Sequence, residues 1–168
     1  MKNLFISLLL ASLAFASPVF AHHAVCDVEV VGEPWVRSTP PNMKITAGYM
    51  SLRNISDTDR RLVAAHSPVS GRVELHTHVH DMQTGMMQMR HVEHIDLPAG
   101  QTVALEPGGL HIMLMDLNTD LQPGTDVPLT LEFDDGSTLE IMAPVRRMTM
   151  GGHHQGHGQH QQHNHHRH

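Results

Sequence analysis

The sequence contains one cysteine, Cys26, among 168 residues. A lone cysteine cannot form an internal disulfide, so the fold must depend on packing. Aromatic residues are also few, with one Trp, one Tyr and four Phe. Lys and Arg number 11 against 17 Asp and Glu, which gives a net charge of −6 and argues against a nucleic-acid-binding protein.

Histidine and methionine are abundant instead, with 17 and 12 residues respectively. Histidine offers an imidazole nitrogen, and methionine offers a soft thioether sulfur. A site that mixes the two selects copper, above all Cu(I). The composition therefore already points to a metal-binding protein.

The N-terminus is typical of a cleaved secretory signal. An apolar run covers residues 4–16, and the small residues Val19 and Ala21 stand where a signal peptidase reads. The run is too short to span a bilayer comfortably. We predict that residues 1–21 are removed and that the exported protein has no membrane-spanning segment. Cys26 lacks the preceding leucine of a lipobox, so we do not expect a lipid anchor.

Residues 22–150 are of a length that suits one domain. Alternating polar and apolar residues, with turn signals at intervals of about 8 to 12 residues, predict eight or nine short strands and no helix, as expected for an all-β sandwich or barrel. The predicted strands cover residues 27–32, 45–53, 61–66, 72–80, 86–95, 101–105, 110–117, 127–133 and 138–144. The last two are expected to form a hairpin. Residues 151–168 consist mainly of Gly, Gln, Asn and His and are predicted to be disordered.

Three of the predicted strands carry the residues of chemical interest. Residues i and i+2 of a strand lie on one face about 7 Å apart, so His111 and Met113 can reach the same ion. Neighbouring strands can add one imidazole and one thioether, which gives four ligands in a roughly tetrahedral array. The candidates are His76, His78, Met87, Met89, His111 and Met113.

Other metal sites fit this pattern less well. Zinc is expected to show Cys or carboxylate beside His. A blue-copper site needs a Cys close to its His and Met ligands, and Cys26 lies far from both in the sequence. A copper oxidase or monooxygenase would need a nitrogen-rich site with an open position, whereas two thioethers favour Cu(I). We therefore predict a protein that is not an enzyme.

These residues resemble the PCuAC family of periplasmic copper chaperones. The pattern of that family is a His, ten residues, a Met, twenty-one residues and His-X-Met. Met89, His111 and Met113 match its last three positions. Further matching phrases are Pro34–Arg37, Thr39–Pro41, Gly48–Asn54, Glu74–His76, Met87–Arg90 and Glu106–Met115, and the resemblance covers roughly residues 28–144.

The first ligand of the pattern is ambiguous. With ten residues between the first ligand and Met89, the first ligand is His78, whereas the family's ligand usually follows Glu-Leu, which gives His76. The turn 81–85 is about two residues longer than in the family. We predict His76 as the ligand, with His78 as the alternative and Met87 as an auxiliary thioether.

The resemblance implies a cupredoxin-like Greek-key β-sandwich that is monomeric without metal. It also implies a periplasmic carrier that hands Cu(I) to the copper-bearing subunit of cytochrome c oxidase, alongside a thiol chaperone of the Sco type. The alternative is a copper storage or resistance protein without a dedicated recipient.

The C-terminal segment repeats the metal chemistry more loosely. Clustered imidazoles on a flexible chain bind Cu(II) above Ni(II) or Zn(II). We predict that this tail gathers Cu(II) while the folded site holds Cu(I). Its candidate ligands are Met148, Met150, His153, His154, His157, His160, His163, His165, His166 and His168.

Overall fold

A computed structural model describes residues 26–148, so the predicted signal and the segment from residue 149 onward lie outside the described residues. The described part is all-β, and no helix in it is long and apolar enough to cross a membrane. Its ten strands are β1 Val28–Arg37, β2 Ile45–Asn54, β3 Arg60–His66, β4 Ser70–His80, β5 Met87–His91, β6 Ile95–Leu97, β7 Thr102–Leu105, β8 His111–Leu117, β9 Asp126–Phe133 and β10 Thr138–Arg146.

The strands join into one open sheet with the order β5-β4-β8-β2-β1-β10-β9-β3-β6. β7 pairs with the second half of β2, next to the segment of β2 that pairs with β8. A short parallel contact between β1 and β10, at Val36 and Val145, links the half that contains β1 to the half that contains β9. The predicted hairpin is present as the antiparallel pair β9–β10.

The two halves of the sheet enclose one apolar core. A Cβ placed on Gly48 of β2 would lie 3.7 Å from Leu114 of β8 and 3.8 Å from Leu129 of β9, so side chains of both halves meet there. The fully buried side chains include Leu52, Leu114, Leu129 and Phe133. These observations confirm the predicted all-β class, with one strand more than expected.

The additional strand arises because the predicted strand 86–95 changes partner. Its first part, β5, pairs with β4, and the N–H of Val92 still donates to Leu75 at 2.9 Å. Ile95 and Leu97 are then buried and pair with β3 in the other half. A local sequence pattern cannot show this change of partner, because it depends on long-range packing.

β1 is longer than predicted, since it continues through Pro34 and Trp35. The register against β2 shifts between Val31 and Trp35, and Gly32 has a φ of 76° within that irregularity. A bulge of this kind accepts a proline that a regular ladder would not tolerate.

Candidate metal centre

The candidate ligands lie on one face of the neighbouring strands β5, β4 and β8. His91, His76 and His111 form a row across the three strands, because His76 is directly opposite both of the others. His78 lies directly opposite Met89 in the next row. The strand register therefore brings the predicted imidazoles and thioethers to one surface.

The sequence of β8 explains why its two candidate ligands lie on the same side of the strand. Ile112 and Leu114 are completely buried, and their burial fixes the opposite face of the strand toward the core. Because side chains alternate along a strand, His111 and Met113 then face the site. The preceding turn, in which Gly108 has a φ of 88°, brings the carbonyl of Gly109 beside the first of these ligands.

His111 is almost completely buried, with 1% of its surface exposed. Its Nδ1 lies 3.0 Å from the carbonyl oxygen of Gly109, which places the ring proton on Nδ1. Nε2 is left unprotonated and, within residues 26–148, has no hydrogen-bond partner. A backbone carbonyl that holds one ring nitrogen while the other stays free is typical of a metal-ligating histidine.

The surroundings of His111 also favour its neutral form, which is the form that binds a metal. Burial lowers the pKa of His111 below its ordinary value, and the nearby His78 and His76 add to this effect, although the hydrogen bond to Gly109 opposes it. Metal binding requires a neutral imidazole. His111 is therefore neutral at neutral pH and can act as a ligand there.

His78 is the imidazole that shares a cavity with the other candidates. The cavity has a volume of about 430 Å³, and its walls include His78, Met89, His111 and Met113. The ring centroids of His78 and His111 are 5.0 Å apart. With metal–nitrogen distances of about 2 Å, two imidazoles on one ion have centroids roughly 4.5 to 6 Å apart, so this spacing fits a shared ion.

His76 lies nearby but is held differently. Its Nε2 is 2.8 Å from Oε2 of Glu74, and Glu74 is itself 3.3 Å from the guanidinium of Arg72. The ring centroid of His76 is 5.8 Å from that of His111, yet His76 is not among the residues that line the cavity. The two candidates for the first ligand therefore have distinct surroundings.

The two methionines of β5, Met87 and Met89, differ in their position relative to the cavity. Met89 is 45% exposed and lines the cavity together with the half-buried Met113. Met87 is opposite His80, one row farther from His111, and is 55% exposed without lining the cavity. Met89 is therefore the thioether of β5 that is placed to join His111.

Two further methionines reach this cavity. Met43, in the loop before β2, is 48% exposed and was missed by the sequence analysis, since a loop residue has no periodicity to reveal its direction. Met148, a predicted tail ligand, also lines the cavity. The other tail candidates, Met150 and the histidines from His153 to His168, lie outside the described residues.

His, Cys, Asp and Glu side chains do not form a metal site by themselves in the described part of the chain. No group of three or more His, Cys, Asp or Glu side chains there is arranged to hold a metal ion. The cavity instead combines two imidazoles with several thioethers, of which Met89 and Met113 lie on the strands β5 and β8. This donor set suits a soft cation such as Cu(I) and is unsuitable for zinc.

Comparisons with known proteins identify the family of this chain. The family model "Putative lipoprotein LpqE-like" matches residues 30–145. A putative lipoprotein of Leifsonia xyli subsp. xyli is 34% identical over 117 residues, which are 69% of this chain and 68% of the relative.

Solved structures of PCuAC domains share the fold. The copper-bound PCuAC domain of PmoF2 is 25% identical with a TM-score of 0.62, and the match covers 74% of this chain and 97% of that domain. The solution structure of the Cu(I) form of DR1885 from Deinococcus radiodurans is 35% identical with a TM-score of 0.56, over 68% of this chain and 76% of that one. These matches confirm the predicted cupredoxin-like fold and the resemblance to PCuAC domains. The chain therefore belongs to the LpqE-like family, and its described part is a PCuAC domain.

Proposed function

We propose that this protein is a copper chaperone that holds one Cu(I) through His78, Met89, His111 and Met113. The observation that carries the proposal is the cavity that these four side chains share. The copper-bound forms of related PCuAC domains support copper as the cargo. Two nitrogen and two thioether donors give the soft set that Cu(I) prefers.

We assign the first ligand to His78, although the sequence favoured His76. His78 lines the cavity, lies directly opposite Met89 and has the shorter ring separation from His111. His76 is engaged with Glu74 outside the cavity wall. The strand pairing thus supports His78, which is also the histidine that the family's spacing of ten residues before Met89 indicates.

The exposure of the site suits a carrier. Met89 is 45% exposed, so one ligand can leave the ion and admit a ligand from a recipient protein. Thioethers do not form disulfides, and a Met/His site therefore survives in an oxidising compartment. The family is one of copper chaperones and not of enzymes, in agreement with the expectation from the ligand set.

We further propose delivery of Cu(I) to the copper-bearing subunit of cytochrome c oxidase, with a Sco-type thiol chaperone as a second partner. The family of putative lipoproteins supports a location in the cell envelope, for which we propose the periplasm after cleavage of residues 1–21. The histidine-rich tail is proposed to gather Cu(II) for the folded domain. Met148, a candidate tail ligand and the last described residue, lines the cavity, which supports this role.

X-ray absorption on the chain loaded with one equivalent of Cu(I) tests the site. We expect two sulfur and two nitrogen neighbours, and a shell without sulfur would contradict the proposal. Mixing the loaded chain with an apo-oxidase subunit under reducing conditions tests the role. Transfer identifies a carrier, whereas retention of Cu(I) would indicate a storage protein.

A further inference from the structure

Beside the proposed Cu(I) cavity, His76 and His91 face each other across the β4–β5 pair. Their ring centroids are 5.9 Å apart, and the rings are nearly perpendicular at 80°. With metal–nitrogen distances of about 2 Å, two imidazoles that bind one ion have centroids roughly 4.5 to 6 Å apart. The pair therefore has a separation that a single ion can bridge.

Glu74 fixes the proton on one nitrogen of His76. Its carboxylate lies 2.8 Å from Nε2, and Arg72 pairs with the same carboxylate at 3.3 Å. The carboxylate, which also pairs with Arg72, accepts the hydrogen bond, so Nε2 of His76 is the donor. A carboxylate that holds one nitrogen of a histidine commonly orients the other nitrogen toward a metal.

The other ring nitrogen of His76 makes no hydrogen bond within the described residues of the metal-free domain. Nδ1 is buried, carries no proton in this arrangement and has no hydrogen-bond partner within residues 26–148. A buried acceptor without a partner destabilises the folded state. Coordination to a metal ion would satisfy it.

We propose that His76 and His91 form a second metal site in the folded domain, and that this site takes Cu(II). It rests on the proposed function, because it requires that His78 and not His76 binds Cu(I). The donors are two imidazole nitrogens backed by a carboxylate, and among divalent ions such a site binds Cu(II) most tightly. His91 is exposed, so water molecules complete the coordination.

The second site lies directly beside the proposed Cu(I) site, and this position explains what it would do. His76 lies between His91 and His111 in one row, with a ring separation of 5.8 Å from His111. The domain would therefore hold the oxidised form of its cargo next to the site of the reduced form, one row of facing residues away along β4 and β5. The absence of a third His, Cys, Asp or Glu ligand in the described part makes this second site the weaker one.

The test uses the full chain with all eight tail histidines, from His153 to His168, replaced by Gln, because the tail would compete for Cu(II). One equivalent of Ag(I), a redox-inert analogue of Cu(I), first fills the thioether site. Cu(II) is then titrated and counted by electron paramagnetic resonance. We expect one more Cu(II) per chain than in the same protein with His91→Asn, and hyperfine splitting from imidazole nitrogens that this substitution removes.

His94→Asn is the matched control. His94 is also an exposed histidine, but its Nε2 lies 3.4 Å from Asp96 and it is outside the row. We expect it to leave Cu(II) binding unchanged. Glu74→Gln is expected to weaken Cu(II) binding about 10- to 100-fold, as loss of an orienting carboxylate does elsewhere, without changing Ag(I) binding.

Three results would overturn the second site: equal Cu(II) binding with and without His91, an equal loss in the His94→Asn variant, or complete loss of Cu(II) binding once Ag(I) is bound. Failure of the proposed Cu(I) site is a separate result. It would appear as Ag(I) without sulfur neighbours in X-ray absorption, whatever the Cu(II) titration shows.

Discussion

His78 lies directly opposite Met89 in the β4–β5 hairpin, and both side chains line the cavity that also contains His111 and Met113. The turn between the strands is closed by the N–H of Asp81, which donates to the carbonyl of Met86 at 2.9 Å. The turn thus fixes the register, and the register makes His78 and Met89 neighbours. The ten residues between them are the length of chain that this hairpin needs.

The first prediction separates the two candidate histidines. His78→Asn removes a nitrogen that faces the cavity and is expected to lower the affinity for Cu(I) about 100-fold, or about 2.8 kcal/mol. His76→Asn leaves the cavity ligands in place and is expected to change the affinity less than about threefold, or about 0.7 kcal/mol. Competition with a colorimetric Cu(I) chelator measures both affinities.

Circular dichroism of the two metal-free variants provides the control for folding. If His76→Asn caused the larger loss while both variants remained folded, the first ligand would be His76, as the family phrase Glu-Leu-His predicts. Equal losses would mean that both imidazoles bind the same ion.

The pH dependence of the metal-free protein is the second prediction. Burial lowers the pKa of His111 in the folded state, so the unfolded chain binds more protons as the pH falls below the ordinary histidine pKa of about 6.5. The contribution of His111 to stability is fully present above that value. It is lost as the pH falls through the lower folded pKa.

Chemical denaturation at pH 7.5 and pH 5.5 measures this effect. The free energy of unfolding is expected to fall more between these pH values in the wild type than in His111→Gln, because the variant lacks the group that titrates. The other histidines are present in both proteins, so the difference between the two decreases reports His111 together with its charge interactions with His76 and His78. An equal decrease in both would show that His111 does not have a lowered pKa.

The third prediction concerns the anchor of the ligand strand. Ile112 is completely buried between the two β8 ligands, and Ile112→Ala is expected to cost about 2 to 5 kcal/mol of unfolding free energy. Ile55 is 56% exposed, and Ile55→Ala is expected to cost less than about 0.5 kcal/mol. Urea denaturation of the metal-free proteins compares this matched pair, and similar losses would contradict the role of Ile112 as an anchor.

Local pattern predicted most of the strands, because in a strand such as β9 the alternation of the sequence directly reflects which side chains are buried. The local pattern failed where contacts between residues distant in the sequence determine which side chains are buried. A methionine in or beside a strand usually fills the core, yet Met86 and Met142 are 64% and 57% exposed. Alternation likewise places His76 and His78 on one face without separating them. Tertiary contacts distinguish them, since His78 is opposite Met89 and His76 is hydrogen-bonded to Glu74.

The fourth prediction uses oxidation to identify the thioethers that bind metal. Peroxide converts exposed methionine to the sulfoxide, and a sulfur that is bound to a metal is protected because its lone pair is engaged. In the metal-free chain, Met82 and Met89 should both oxidise, since they are 88% and 45% exposed. With one equivalent of Ag(I) bound, Met89 and Met113 should be protected while Met82 oxidises at its former rate. Peptide mass spectrometry reads each site separately, so Met82 is an internal control, and equal oxidation of Met89 with and without Ag(I) would remove it from the ligand set.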